Sequence, residues 1–204
     1  MRDMKEIDPQ NSRRKLIHKV GINDADYVTQ IPAEKWRCPY YDRWASMIQR
    51  CYDPKYLVAN PSYAGHSVCE EWHSFMTFRE WMMEQDWEGK HLDKDILGKG
   101  TKIYSPETCI FVHPNINVLL ATNKKTKGAY PTGVYARGNR FRAKVNYKGK
   151  GIGLGTHPTP EEAYDAYVEK KYEIIKEIAN EQSDERLKNA LLEWKINSYE
   201  EEIA

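Results

Sequence analysis

The chain has 204 residues, enough for one large domain or two small ones, and a formal net charge of +1 that hides opposite regions. Six Trp and fourteen Tyr argue for folded modules rather than a disordered tail. No apolar run approaches the roughly 20 residues that span a bilayer, the first residues lack a signal-peptide core, and Cys38, Cys51, Cys69 and Cys109 show no Cys-x-x-Cys spacing, so the sequence reads as a reduced, cytoplasmic protein.

Residues 1–35 are polar and mixed in charge, with Gly21, Asn23, Asp24 and Asp26 as breakers, and are expected to form an arm or a poorly ordered leader. Trp44, Met47, Ile48 and Cys51 recur at helical spacing and predict an amphipathic helix over 39–52, ended by Asp53-Pro54. A loop with Asn60-Pro61 and Gly65 leads to a second helix over about 70–85, whose Trp72, Phe75, Met76, Phe78 and Trp81 read as core. His91–Leu97 is a strand candidate, Gly98-Lys99-Gly100 a turn, and Cys109–Val112 an apolar strand. Pro114 suits the first turn of a helix running to about Ala121. A basic, Gly-containing linker follows.

Between Thr108 and Pro160 there are nine Lys or Arg and no Asp or Glu. From Glu161 to the end, thirteen acidic residues face six basic ones. The cations are Lys124, Lys125, Lys127, Arg137, Arg140, Arg142, Lys144, Lys148 and Lys150, interleaved with Tyr130, Tyr135, Phe141 and Tyr147. A polyanion-binding face needs this pattern, because a local carboxylate would repel phosphates. Thr132–Arg137, Asn139–Tyr147 and Lys150–Leu154 read as three strands joined by Gly138-Asn139 and Lys148-Gly149 turns. In the middle strand Phe141, Ala143, Val145 and Tyr147 point one way, and Arg140, Arg142, Lys144 and Asn146 the other. Thr159-Pro160-Glu161-Glu162 is a helix start, and Ala163, Ala166, Tyr167, Ile174 and Ile178 supply a face to cover the sheet. A last helix over about 184–197 offers Leu187, Leu191 and Trp194 to a core or to a partner.

Three antiparallel strands backed by one helix, with cations on the free face, match what a B-DNA major groove can admit. The segments Thr132-Gly133-Val134, Arg140 through Val145, Leu154-Gly155-Thr156 and Thr159 through Tyr167 resemble the ethylene-response-factor (APETALA-type) DNA-binding domain over about fifty residues. That resemblance implies that Arg137, Arg140, Arg142 and Lys144 lie in the major groove. Tyr135 stands where the plant domains usually carry an Arg, so their base preference does not transfer.

His91 through Leu97, Tyr104 through Cys109, and Asn117 resemble the ββα-metal (HNH) finger. With Arg50-Cys51-Tyr52 and Val68 through Trp72, the chain resembles phage-type HNH homing endonucleases over about residues 38–200, which would place it in a phage-infected bacterial cell. By that resemblance Asp93 is the first metal ligand, and Asn117, nine residues after Thr108, is the helix ligand for Mg²⁺ or another divalent ion. Two positions depart from the pattern. Lys94 stands in place of the general-base His, and Thr108 in place of the Asn that braces the hairpin loop. A protonated lysine can hold a phosphate but cannot take a proton. His91, on the same strand face as Asp93, and His113, at the start of the helix, are the available substitutes, and Asp95 on that face could add a ligand. A structural zinc on Cys51, Cys69, Cys109 and His66 is conceivable, but the spacings match no standard set and buried free thiols are the preferred reading.

The expected fold class is α+β. The expected domains are a polar arm (1–35), an HNH-like domain (36–123), a basic linker (124–130), an APETALA-type sheet domain (131–182) and a C-terminal helix and tail (183–204). The expected function is metal-dependent cleavage of double-stranded DNA at a site read by the sheet. The competing expectations are a catalytically silent DNA-binding protein, such as a repressor or genome-associated factor, that uses Lys94 as a phosphate clamp, and a protein-binding module whose contact is the acidic C-terminal helices.

Overall fold

In the computed structural model the described residues are 16–121 and 129–203. The fold is α+β. In chain order it comprises β1 (Gln30–Ile31), β2 (Trp36–Arg37), α1 (Pro39–Tyr52), α2 (Pro54–Ala59), β3 (Ser67–Val68), α3 (Phe75–Met83), β4 (His91–Asp93), α4 (Asp95–Gly98), β5 (Ile103–Tyr104), β6 (Ile110–Val112), α5 (Pro114–Leu120), β7 (Val134–Arg137), β8 (Arg140–Tyr147), β9 (Lys150–His157), α6 (Pro160–Asn180), α7 (Glu185–Leu192) and α8 (Tyr199–Ile203). Two compact units emerge, Met1–Phe111 and Val112–Ala204, divided inside β6. The basic segment 124–128, where the sequence places most of a linker, lies outside the described residues. Among the described residues no helix is long and apolar enough to cross a membrane.

The first unit is built on aromatic burial. Trp44, Ile48, Phe75, Phe78 and Met82 are fully buried, and Trp44 and Phe75 come from α1 and α3 to meet Tyr41 in tilted and edge-on ring contacts. The Trp44 Nε1–H donates to the Trp72 carbonyl at 2.8 Å, so a polar group carried into the core is satisfied there. Asp53 ends α1 and also starts α2, its carboxylate accepting from the Lys55 N–H at 2.9 Å.

Two expectations are corrected in this unit. The helix predicted over 70–85 is split: a 3-10 turn at Glu70–His73 precedes α3, with Ser74 extended between them. The Ser74 hydroxyl accepts from the Thr77 N–H at 3.1 Å and donates to Asp24 at 2.6 Å, while Asp24 also accepts from the Met76 N–H at 2.9 Å. Residues 16–35 are therefore not an arm. Ala25 and Tyr27 join the core, and Ile22 exchanges backbone hydrogen bonds with His73 and Phe75. Their polar composition hides this role because several polar groups are spent on capping. Residues 1–15 lie outside the described residues.

In the second unit β7, β8 and β9 form an antiparallel sheet in that order, and α6 packs across all three strands. Register pairs Val134 with Ala143, Tyr135 with Arg142, Arg137 with Arg140, Val145 with Ile152 and Tyr147 with Lys150. Ala143 and Val145 are buried toward α6, as the alternation predicts. The Lys148-Gly149 turn has positive φ at both residues, 48° and 73°, the geometry that matches strand twist in a two-residue hairpin. Thr159 caps α6 by accepting from the Glu162 N–H at 3.2 Å, and Pro160 occupies the first turn. α7 buries Leu187, Ala190 and Leu191 and packs on α6, so the last long helix serves the chain's own core.

Gly133 is where strand and helix approach most tightly. Its φ is +86°, and a Cβ there would lie 2.3 Å from the Tyr167 ring. Gly133→Ala is expected to destabilise the second unit by about 2–3 kcal/mol, since it combines a left-handed φ with overpacking. Urea unfolding monitored on the sheet checks this, and a cost below about 0.5 kcal/mol would show that the contact yields.

Candidate nucleic-acid interface and finger

Alternation along β7 and β8 brings Tyr135, Arg137, Arg140, Arg142 and Lys144 to the sheet face opposite α6. Tyr135, Ala136, Arg137, Arg142 and Lys144 line an open concavity of about 400 Å³. On the same face β9 presents Gly151 opposite Asn146 and Gly153 opposite Lys144. These positions carry no side chain, and the Lys144 stem lies across the bare strand: a Cβ on Gly151 would sit 2.1 Å from Lys144 Cε. Arg140 donates to the Thr156 carbonyl at 3.3 Å. Among the described residues, none of Arg137, Arg140, Arg142 and Lys144 has a carboxylate within ion-pair distance. Four unneutralised cations on one smooth face concentrate positive potential there.

The remaining basic residues differ in placement. Lys150 pairs with Tyr147, so it projects to the α6 side of the sheet rather than to the cationic face. The sequence assigns it to the cationic face only while the register across the hairpin is unknown. Lys148 sits in the turn, its ammonium 5.1 Å from the centre of the Tyr147 ring. Lys124, Lys125 and Lys127 lie outside the described residues.

The finger segment departs further from expectation. The strand predicted over His91–Leu97 stops at Asp93, and the chain turns into α4. Asp93 causes this: its Oδ1 accepts from the Asp95 N–H at 2.8 Å and the Ile96 N–H at 2.9 Å, drawing the backbone into a helical turn. Asp95 therefore does not share a strand face with Asp93, and its carboxylate is engaged by the Lys94 ammonium. Lys94 is only 3% exposed. It also donates to the Thr101 carbonyl at 3.3 Å and lies 5.7 Å from the centre of the Tyr104 ring. Such a lysine ties the 94–101 loop together. It is too deep to clamp a phosphate, so the role of phosphate clamp that the sequence suggests for Lys94 is withdrawn.

Thr108 braces its own loop. Its hydroxyl donates to the Ile103 carbonyl at 2.7 Å and accepts from the Ser105 N–H at 3.0 Å, closing the loop between β5 and β6. His91 is exposed on β4. His113 caps α5, its Nδ1 accepting from the Asn115 N–H at 3.2 Å, which occupies one ring nitrogen.

Asp93 belongs to the first unit and Asn117, on α5, to the second. Burial raises the Asp93 carboxyl above its ordinary range, the neighbouring Asp95 adds to the rise, and the backbone N–H donors oppose it. The Asn117 Oδ1 is buried and has no hydrogen-bond partner among the described residues. A desolvated carboxylate and an unpaired amide oxygen are both suitable donors for a hard divalent cation. The four cysteines are free, and burial pushes Cys51 and Cys109 up to about 12 and Cys69 to about 11. Among the described residues no three His, Cys, Asp or Glu side chains group in a way that could hold a metal ion.

For two residues, Arg50 and His66, the structure adds surroundings that the sequence does not show. Arg50 is stacked over Tyr63, 5.9 Å from its ring centre, and hydrogen-bonds with Tyr104. His66 enters the sequence reading only as a neighbour of Cys69, yet burial and then the charge of Lys94 lower its pKa.

Comparison with protein families, with curated proteins and with solved structures finds no match to this chain.

A raised carboxyl makes ionised Asp93 a liability to the fold at neutral pH. Below its ordinary carboxylate range both folded and unfolded states hold the proton, so the liability disappears. Asp93→Asn keeps an acceptor for the two N–H groups. It is expected to raise the melting temperature at pH 7 by roughly 2–4 °C, as about 1 kcal/mol would in a chain of this size. The gain should shrink as pH falls through the raised folded-state value toward that of a free carboxyl. Calorimetry across that window checks both parts.

Proposed function

We propose that this chain is an endonuclease that binds double-stranded DNA through the β7–β9 sheet and hydrolyses a phosphodiester at the finger. The observation that carries the DNA contact is the open sheet face, where Arg137, Arg140, Arg142 and Lys144 lack carboxylate partners among the described residues beside the bare Gly151 and Gly153 backbone. Strands of this width enter a major groove, Arg can fork onto guanine, and Lys can hold phosphate oxygens. The bare Gly151 gives room to the Lys144 stem, which lies flat across β9. Tyr135, opposite Arg142, supplies an aromatic edge within the same concavity. The setting would be the reducing interior of a phage-infected bacterial cell, as the resemblance implies.

For cleavage, Asp93 would contribute to holding Mg²⁺ or a similar ion, whose chemistry would be to stabilise charge developing on the scissile phosphate. The chain's own contribution is orientation. Two N–H donors fix the Asp93 carboxylate, Thr108 braces the loop, and Lys94 anchors the start of α4. A second reading, a catalytically silent DNA-binding protein, is favoured by one observation: the lysine at the base position is buried and committed to structure.

A plasmid nicking assay with Mg²⁺ or Mn²⁺ separates the two. The endonuclease nicks, and Asp93→Ala abolishes nicking while leaving DNA affinity within about twofold. Absence of cleavage across DNA substrates, including sequence flanking the gene itself, leaves the silent reading standing. Under either reading, Arg140→Glu with Arg142→Glu is expected to weaken duplex binding by at least about 100-fold, the scale of two lost groove contacts. Wild-type affinity should fall steeply as salt rises. Fluorescence anisotropy across a salt series measures both, and binding that ignores salt and charge reversal contradicts the proposal.

A further inference from the structure

We propose that the concavity on the cationic sheet face is a subsite for one unpaired nucleotide, whose base stacks on Tyr135 while its phosphate lies against Arg137 and Arg142. This rests on the reading of the sheet as the DNA surface, and not on cleavage.

The placement of Tyr135 comes first. In the order β7-β8-β9, β7 is an edge strand, so Tyr135 stands on the rim of the cationic face. Arg142 lies directly across from it on β8, and Arg137 follows two residues along β7 on the same face. Lys144 is placed on the other side, opposite Gly133, to whose carbonyl its N–H donates at 2.9 Å. With Ala136, these residues line the concavity of about 400 Å³. Clefts that hold small ligands run from roughly 300 to 1,000 Å³, and one nucleotide is a ligand of that class.

The ring itself is bare. Tyr135 is 51% exposed. Other tyrosines of this unit are engaged: Tyr130 meets Phe141, Tyr164 meets Tyr167 and Tyr199, and Tyr147 lies beneath the Lys148 ammonium. The Tyr172 hydroxyl accepts from the Ile196 N–H. Among the described residues no ring, cation or hydrogen-bonding group is seated on Tyr135. Its neighbours Arg137, Arg142 and Lys144 have no carboxylate within ion-pair distance among the described residues.

An open aromatic ring beside unneutralised cations has the chemistry that takes unpaired nucleic acid. The ring accepts a base face to face, and the cations accept the backbone. A fully paired duplex cannot use the ring in this way, since its major groove shows base edges and its base faces cover one another. A nucleotide without a partner strand base is the cheapest to turn out of the stack. The row of cations along β8 then serves the paired flanks, and the concavity takes the odd nucleotide. The expected ligand is duplex DNA interrupted by one unpaired nucleotide.

The test uses the full chain and two duplexes of the same sequence, one fully paired and one carrying a single extra, unpaired 2-aminopurine at its centre. Fluorescence anisotropy of a terminal dye gives the ratio of the two affinities for wild type, Tyr135→Phe and Tyr135→Ala. The position is exposed, so neither substitution disturbs the core. Wild type and Tyr135→Phe are expected to bind the interrupted duplex about 5- to 100-fold more tightly and to quench the 2-aminopurine, the scale of one base stacked on a ring. Tyr135→Ala is expected to bring the ratio close to one and to remove the quench. A wild-type ratio close to one, with salt-dependent binding of both duplexes, overturns the subsite and leaves the sheet as the DNA surface. A ratio that survives in Tyr135→Ala traces to the easier bending of interrupted DNA and overturns it too, as does a ratio that Tyr135→Phe loses as fully as Tyr135→Ala. If neither duplex binds, the reading of the sheet as the DNA surface falls and the subsite falls with it.

Discussion

A three-stranded sheet has two faces, and α6 covers only one of them. The properties of the second unit follow from that constraint. Ala143 and Val145 must face α6, so their neighbours on β8 must face away, and those neighbours are Arg140, Arg142 and Lys144. The close fit of helix to sheet forces glycine at position 133, where Tyr167 leaves no room for a side chain. The open face is then filled by cations whose stems lie across glycine backbone. Burial on one side and charge on the other arise from the same period-two pattern, so the packing that stabilises the unit also presents the proposed DNA surface.

The first unit uses burial differently. Its tryptophans and phenylalanines provide a large apolar core, against which a small number of polar groups are held under strain of desolvation. Lys94 is satisfied by Asp95, Thr101 and the Tyr104 ring. Asp93 is fixed by two N–H donors but remains a raised, partly desolvated carboxyl. A core this well packed can hold such groups without losing the fold, and their concentration around one loop is the physical basis for reading that loop as a site.

Features set by local chemistry were legible in the sequence. The Thr159-Pro160 helix start, the alternation of β8, the Pro114 helix and the end of α1 at Asp53 all depend on residues a few positions apart, and all appear in the structure. Features set by distant partners were not. Asp24 reaches across 50 residues to cap α3 through Ser74, which turns an apparent arm into part of the core. Lys150 changes face because register across the hairpin, not strand composition, decides its direction. The strand expected through Leu97 fails because an Asp side chain competes with strand pairing for the backbone N–H groups.

The central claim is that the uncovered sheet face is the DNA surface. Backbone amide NMR of the full chain titrated with duplex DNA tests it residue by residue. The account predicts that shift changes concentrate on Tyr135, Arg137, Arg140, Arg142, Lys144, Gly151 and Gly153, leaving α7 and the α6 surface turned away from the sheet unmoved. Changes centred on α6 and α7, or none at DNA concentrations that saturate binding, would contradict it.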